Sequence, residues 1–367
     1  MAIRIGIIAD DFTSAMDGAG PFVASRAVDR ASVVVEGYAA PADAELLSID
    51  IDSRSRPEAE AGPLTTAACL QVRDAPVIYK TVDSTLRGHL AAEIHAAWTA
   101  TGRRRIIFAP AFTAAGRTTR YGFQLLDGID LAQSSFASDP RQAVPTGEIE
   151  VLLRPLPDDL PAGTLEICNA SSDADLDAIV AAHDDADVLW VGSPGLAHAL
   201  ARKHRRENAA ARPPVAPIHH VAVIVGSMHA VNQVQLQRLY EYFGPGLQYL
   251  EAGGVIPHSP LLVVAAPPVS SPVTPDSAKA VGLDLARQAR DLLTAGYEGL
   301  IVTGGETVRA VVAGLDQPTV EVLDEPEPGI VRGRLGNGAM LVTKAGGFGD
   351  TETLIGLYKH LTDAGHA

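Results

Sequence analysis

The sequence predicts an α/β protein of two domains, each a largely parallel sheet flanked by helices, with the active site in the interdomain cleft. Three observations predict it. Short apolar runs recur in both halves, each followed by a helical pattern, which is the alternation of parallel βαβ units. Polar or glycine-containing clusters repeatedly close those runs, and the carboxyl ends of strands are where open α/β sheets bind ligands. Between the halves, residues 207–217 lie in a stretch rich in Ala and Pro without an apolar face, as expected of a linker. The expected domains are therefore residues 1–206 and 218–367.

Residues 3–9 (IRIGIIA) are apolar except for Arg4, as in a strand buried on both faces. The run ends in Asp10-Asp11, and Ser14, Ala15, Ala19 and Val23 predict a helix with a small-residue face. Two adjacent carboxylates at a strand end are costly unless something uses them. The competing reading is a helix N-cap with a solvated neighbour. Further strands are expected at 33–35 and 46–50, the second leading into Asp52-Ser53-Arg54-Ser55-Arg56.

The apolar residues 76–79 then deliver YKTVDSTLRGH, residues 79–89. Lys80, Asp83, Ser84, Thr85 and Arg87 fall together before Gly88, and Leu90, Ile94 and Ala97/Trp98 recur at helical spacing over 89–100. Capping needs only one such side chain. Two hydroxyls between a carboxylate and a guanidinium read instead as a binding site. A strand at 106–109 leads into 110–122, expected as a long loop presenting Gly116, Arg117, Thr118 and Thr119. Residues 130–185 carry little pattern, followed by a strand at 188–191 and a helix at 194–206.

In the second half, strands are expected at 221–225, 261–265, 300–302 and 340–343, with helices at 230–242 and 276–295. Three strand ends carry glycine: Gly226-Ser227, residues 303–307 (TGGET) and residues 344–349 (KAGGFG). Neither a Walker A pattern nor GxGxxG is present. An anion would therefore be held by glycine backbone amides and helix N-termini.

The chain has 367 residues, 47% hydrophobic and 20% charged, with a formal net charge of −15. Such a charge argues against nucleic acid as partner. A small anionic substrate stays compatible, because Lys80, Arg87 and Arg117 form a local cationic cluster. Cys69 and Cys168 and the histidines lack metal-ligand spacing, so no metal ligand set is named. The cysteines read as reduced core thiols of a cytoplasmic protein. The chain starts without a signal-peptide layout, and its apolar runs are too short to span a bilayer. A homo-oligomer is compatible with the sequence.

Five segments in this order resemble the four-carbon acid sugar kinase family: IADDFTSAMD (8–17), KTVDSTLRG (80–88), PAFTAAGRTTRYG (110–122), TGGETVRAV (303–311) and TKAGGFG (343–349). The resemblance spans nearly the whole chain and implies an ATP-dependent kinase of tetronate-type acids, acting on the terminal hydroxyl, with Mg²⁺ bridging the ATP phosphates. It makes Asp10, Asp11 and Arg54 binders of the acid's hydroxyls and Ser84, Thr85 and Arg87 holders of its carboxylate. Lys80, Asp83 and Arg117 complete the substrate set, and Asp11, Asp83 and Arg87 are the catalytic candidates. The general base is open among Asp10, Asp11 and Asp83. ATP is assigned to Ser227, Gly304, Gly305, Glu306, Thr307, Lys344, Gly346 and Gly347, with Glu306 reaching the metal through water. This chain departs from the family pattern at Ser14, where glycine is usual, and at His229 and Asn232, where serine and threonine are usual. The alternatives are a kinase of a branched 3-oxo acid, a nicotinamide-dependent oxidoreductase, disfavoured by the missing GxGxxG, and a non-catalytic sugar-acid binder.

Overall fold

The computed structural model describes residues 2–138, 142–157, 160–207, 214–226, 229–250, 254–266 and 275–363. The chain divides into two compact units, Met1–Glu207 and Asn208–Ala367. The break falls at the start of the expected linker, of which residues 208–213 lie outside the described residues.

The first unit runs β1 (Ile5–Ala9), α1 (Phe12–Ala24), β2 (Ala31–Val35), β3 (Leu46–Asp50), α2 (Glu58–Val72), β4 (Val77–Thr81), α3 (Leu90–Thr101) and β5 (Arg105–Ala109). It continues through β6 (Arg117–Arg120), β7 (Phe123–Leu126), β8 (Ile129–Asp130), α4 (Ile149–Leu153), β9 (Leu165–Ile167), α5 (Asp173–Ala181), β10 (Val188–Gly192) and α6 (Pro194–Lys203). Its main sheet has the order β2-β3-β1-β4-β10-β5-β9, and every pairing in it is parallel. The predominantly apolar strands fit this, since both faces are covered. On one face Ile8, Ile49, Ile78, Phe108 and Val191 pack with Cys69 and Val72 of α2 and with Leu90 and Ile94 of α3. Elsewhere α6 lies against both α1 and α5. Cys69 and Cys168 are free and buried, and burial pushes each thiol up to about 12.

From β1 the chain moves one way to β2 and β3, then returns to start β4 on the other side of β1. The direction of winding therefore reverses between β1 and β4. Their carboxyl ends open a crevice of the kind that holds ligands in doubly wound sheets. Asp10 and Asp11 follow β1; Asp83 follows β4.

The expected loop at 110–122 is corrected. Its end enters a small antiparallel sheet, β6-β7-β8. Tyr121 and Gly122 (φ 52° and 77°) link the first pair, and Asp127 and Gly128 (φ 51° and 81°) the second. Two left-handed residues in succession make the tight turn whose twist suits a hairpin. The Asp-Gly pair was the available signal; the polar RTTR strand hid it, having no apolar face. The helix after β10 also ends at Lys203, not 206.

The second unit runs β11 (Val221–Val225), α7 (Ala230–Phe243), β12 (Gln248–Tyr249), β13 (Leu261–Ala265), α8 (Pro275–Thr294), β14 (Gly299–Thr303) and α9 (Gly305–Gly314). It closes with β15 (Thr319–Glu327), β16 (Ile330–Leu335), β17 (Met340–Lys344) and α10 (Thr353–Thr362). Strand order is β12-β13-β11-β14-β17-β16-β15. The first five strands are parallel, and β16 is antiparallel to both its neighbours. The β15–β16 hairpin has no counterpart in the sequence expectation, because its acidic, Pro-containing first strand breaks alternation at two register shifts. Winding reverses here between β11 and β14, whose ends carry Gly226 and Gly304.

Gly192 ends β10, the central strand between β4 and β5. A Cβ there would stand 2.4 Å from the Ala109 carbonyl oxygen and 2.8 Å from Leu196 Cδ2. Gly192→Ala is expected to cost about 1–3 kcal/mol through forced backbone shifts, read as a thermal midpoint roughly 2–10 °C lower. An unchanged midpoint would mean that β5 gives way freely.

Candidate functional site

Three carboxylates gather around one guanidinium at the first crevice. Arg54, on the short turn after β3, grips Asp10 with both arms: Nε donates to Oδ2 at 2.8 Å and Nη2 to Oδ1 at 2.7 Å. Its Nη1 donates to Asp11 Oδ2, and Nη2 also reaches Ser14 Oγ at 3.1 Å. Asp83 Oδ1 lies 3.9 Å from Nη1. Burial works against the charge on Arg54, but Asp10, Asp11 and Asp83 outweigh it and hold its pKa well above the ordinary arginine value. Burial raises the Asp10 carboxyl, against the pull of Arg54 and Lys80.

The two adjacent aspartates divide their labour. Asp11 is the N-cap of α1, accepting from Ser14 N at 2.6 Å and from Thr13 Oγ1 at 3.0 Å on Oδ1 while Oδ2 meets Arg54. Asp10 is not a solvated neighbour: it is 2% exposed. Gly88 lets the next loop pass close by, with φ 104° and a would-be Cβ 3.1 Å from Asp10 Oδ2.

Asp83 organises that loop. It accepts from Arg87 Nε at 2.7 Å and Nη2 at 3.1 Å, from Arg87 N at 3.3 Å, and from the Thr85 hydroxyl. Leu86 takes a left-handed conformation, φ 62°, which a branched side chain adopts only when its surroundings enforce it. Burial would raise the Asp83 carboxyl, yet Arg87 and Arg54 hold it well below the usual 3.8. A depressed folded-state value stabilises the native state fully above the unfolded value of 3.8, and the contribution is lost as pH falls from there through the folded-state value. Arg87 keeps 27% of its side chain exposed and stands 5.2 Å over the Phe136 ring. It also lines a cavity of about 290 Å³ with Gly88, His89, Gln142 and Val144.

Beneath this loop lies Lys80. Fully buried in β4, it sits 2.7 Å from Glu93 Oε2 and donates to the Thr81 carbonyl at 2.7 Å; Ser53 Oγ donates to Glu93 Oε1 at 2.7 Å. Arg117 is also buried: its Nη1 donates to the Ala115 carbonyl, and burial lowers its guanidinium while Asp83 and Asp127 pull it up. Ser84 and Thr85 are buried, and Gln124 Nε2 donates to the Ser84 carbonyl at 2.8 Å.

In the second unit, Gly304 has φ 93° and caps α9, whose first turn carries Glu306. A Cβ on Gly226 would fall 2.0 Å from Thr307 Oγ1, so glycine is required where β11 meets α9. Lys344 is fully buried at the end of β17 and donates to Asn232 Oδ1, Ala345 O and Phe348 O at 2.9, 3.2 and 3.0 Å. Burial lowers its ammonium to about 7. Ser227 lies outside the described residues.

A family model described as a sugar-binding N-terminal domain matches residues 5–158, and one described as a nucleotide-binding C-terminal domain matches residues 265–354. A D-threonate kinase of Bordetella bronchiseptica is 33% identical, covering 96% of each chain. The chain belongs to the four-carbon acid sugar kinase family. It is a sugar-acid kinase. A 3-oxo-tetronate kinase of Pseudomonas fluorescens is similar to this kinase at 27% identity over 94% of each chain. The fold recurs in a crystal structure from Salmonella typhimurium LT2, 19% identical with a TM-score of 0.81, covering 98% of this chain and 99% of that one.

In this sugar-acid kinase the structure brings together Asp10, Asp11, Arg54, Asp83, Thr85 and Arg87, all expected from the sequence. Lys80 and Lys344, expected to touch ligands, are instead buried with their protons spent on neighbouring groups. Sequence reasoning missed Ser53, Glu93 and Gln124. Glu93 had a signal, a lone acid on the otherwise apolar face of the helix after Lys80. Lys80→Met would strand the Glu93 carboxylate in the core. Breaking such a pair costs about 3–5 kcal/mol, so denaturant unfolding should show that loss, and the double change Lys80→Met with Glu93→Leu should recover much of it. Equal losses in the single and double variants would mean that the pair is not coupled.

Proposed function

We propose that this kinase transfers the γ-phosphoryl group of ATP to the terminal hydroxyl of a four-carbon sugar acid, with D-threonate as first candidate. The observation that carries the reading is Arg87. Arg54 is saturated by carboxylates, whereas Arg87 is partly exposed and lines the cavity, so it is the cation that can grip an incoming carboxylate in two parallel bonds. Asp83, held ionised, keeps Arg87 oriented while the acid binds. The 33% identity to the D-threonate kinase of Bordetella bronchiseptica supports threonate as the first acid to test. Erythronate and 3-oxo-tetronate are the next substrates to compare.

Phosphoryl transfer asks the protein chiefly for alignment and charge neutralisation. Of the three carboxylates, Asp83 is too strongly stabilised as an anion to take a proton readily, and Asp10 is only 2% exposed. Asp11, with 17% of its side chain exposed, is the group we assign to the reacting hydroxyl. For ATP the supporting features are the reversal point between β11 and β14, the N-terminus of α9 with Gly304, Gly305 and Thr307, and the glycines at 346 and 347. Mg²⁺ would neutralise phosphate charge, with Glu306 in the first turn of α9 as its protein partner through water.

A coupled assay of ADP release across D- and L-threonate, the erythronates and 3-oxo-tetronates tests the whole reading. Turnover of a tetronate with ATP is expected; inactivity on every four-carbon acid would sink it. Arg87→Lys loses a charge-assisted bidentate contact worth about 1.5–3 kcal/mol, so kcat/KM for the acid should fall roughly 10- to 150-fold. The KM for ATP should stay put; a rise there instead would make Arg87 a phosphate ligand. Asn still caps α1 but turns its amide N–H group toward Arg54 in place of Oδ2, so Asp11→Asn should lower the melting temperature modestly while kcat drops about 10²- to 10⁴-fold. Full activity in that variant would remove Asp11 from the chemistry.

A further inference from the structure

The loop after β17 is shaped by a group that no phosphate could reach. Lys344 has no exposed surface, and its ammonium meets three acceptors: Asn232 Oδ1 on α7, and the carbonyls of Ala345 and Phe348 in its own loop. Three protons for three acceptors suits the charged form, since a neutral amine would leave one acceptor without a donor. A second α7 side chain joins in. Gln235, 1% exposed, donates from Nε2 to Phe348 O at 3.2 Å and to Asp350 O at 2.7 Å. The loop is thus tied to α7 at its start, middle and end.

These ties draw the carbonyls of Ala345, Phe348 and Asp350 inward. Ala345 O also accepts from Phe348 N at 3.1 Å, and Gly349 takes φ 80°. Among the described residues, the backbone N–H groups of Gly346 and Gly347 take no partner. Successive amides released on the outside of a tight turn make a concave anion seat.

We propose that Lys344 is a positioning residue: held by Asn232, it gathers the loop's carbonyls so that the amides of Gly346 and Gly347 are presented to a phosphate group of the nucleotide. The inference rests on assigning ATP to the second unit. It explains why a lysine in a glycine-rich phosphate loop is turned away from the ligand. It also couples nucleotide affinity to pH. Burial holds the Lys344 ammonium near neutrality, opposed by Glu327 at the end of β15. Glu327 is itself raised, first by burial and also by Asp350 beyond the loop, while accepting the Thr353 hydroxyl at 2.9 Å. Asn232 and Gln235 from α7 bring no charge. Loss of the proton as pH rises through about 7 removes one donor and slackens the loop.

The test uses the full-length enzyme with ATP and the best tetronate, folding being checked by thermal melt. Wild-type KM for ATP should climb with pH above neutrality. Lys344→Met should raise it roughly tenfold or more, flatten that climb and leave the KM for the acid unchanged. Asn232→Asp supplies an anionic acceptor and should move the climb to higher pH with ATP binding retained. A Lys344→Met enzyme whose two KM values move together, or whose ATP KM and its pH profile match wild type, overturns the positioning role. Gly304→Val separates the two levels. If it abolishes ATP binding while Lys344→Met does not, the loop inference alone falls. If both leave ATP binding untouched, the nucleotide site itself lies elsewhere.

Discussion

The first unit depends on the charge of Arg54. Asp10, Asp11 and Asp83 come from two different strand ends, and three like charges so close would repel one another without a cation among them. Arg54 arrives from a third strand, β3, so that β1, β3 and β4 are joined at their carboxyl ends as well as along their ladders. One consequence is that the groups proposed to hold the sugar acid are fixed before any ligand arrives. Little side-chain entropy then remains to be lost on binding.

Both units bury a lysine at a strand end beside the loop that matters most, but they neutralise it differently. Lys80 is matched by a full carboxylate, Glu93, itself anchored by Ser53. Lys344 is surrounded by neutral oxygens, with Glu327 acting only at a distance. The first arrangement is a permanent foundation. The second leaves a proton that can be lost near neutral pH, which suits the proposed role of its loop as a phosphate seat.

Much of the fold was legible because parallel strands buried on both faces advertise themselves as unbroken apolar runs: residues 5–9, 221–225 and 261–265 needed no long-range information. The β6–β8 sheet and the β15–β16 hairpin were not legible, since their strands are polar and their pairing depends on turn geometry and register. The candidate site was legible as far as charge marks a strand end, which singled out Asp10, Asp11, Asp83 and Arg87, while Arg54 was singled out only by the family resemblance. Depth was invisible. Nothing in KTVDSTLRG or TKAGGFG tells that the lysine points inward and the arginine outward, because that follows from the pleat and from partners outside those motifs, Glu93 on the next helix and Asn232 on a helix far away in the chain. The departure at Asn232 acquires a physical meaning only once Lys344 is seen against it.

The two buried thiols have a practical consequence. Cys69 and Cys168 are buried, and burial pushes each thiol up to about 12, so little of the reactive thiolate forms at neutral pH. The native chain is therefore nearly silent to maleimides and iodoacetamides. A single cysteine introduced on an exposed helix face of either unit would be the one reactive handle, so fluorescent or spin labels can be attached without first stripping the protein of its own sulfur.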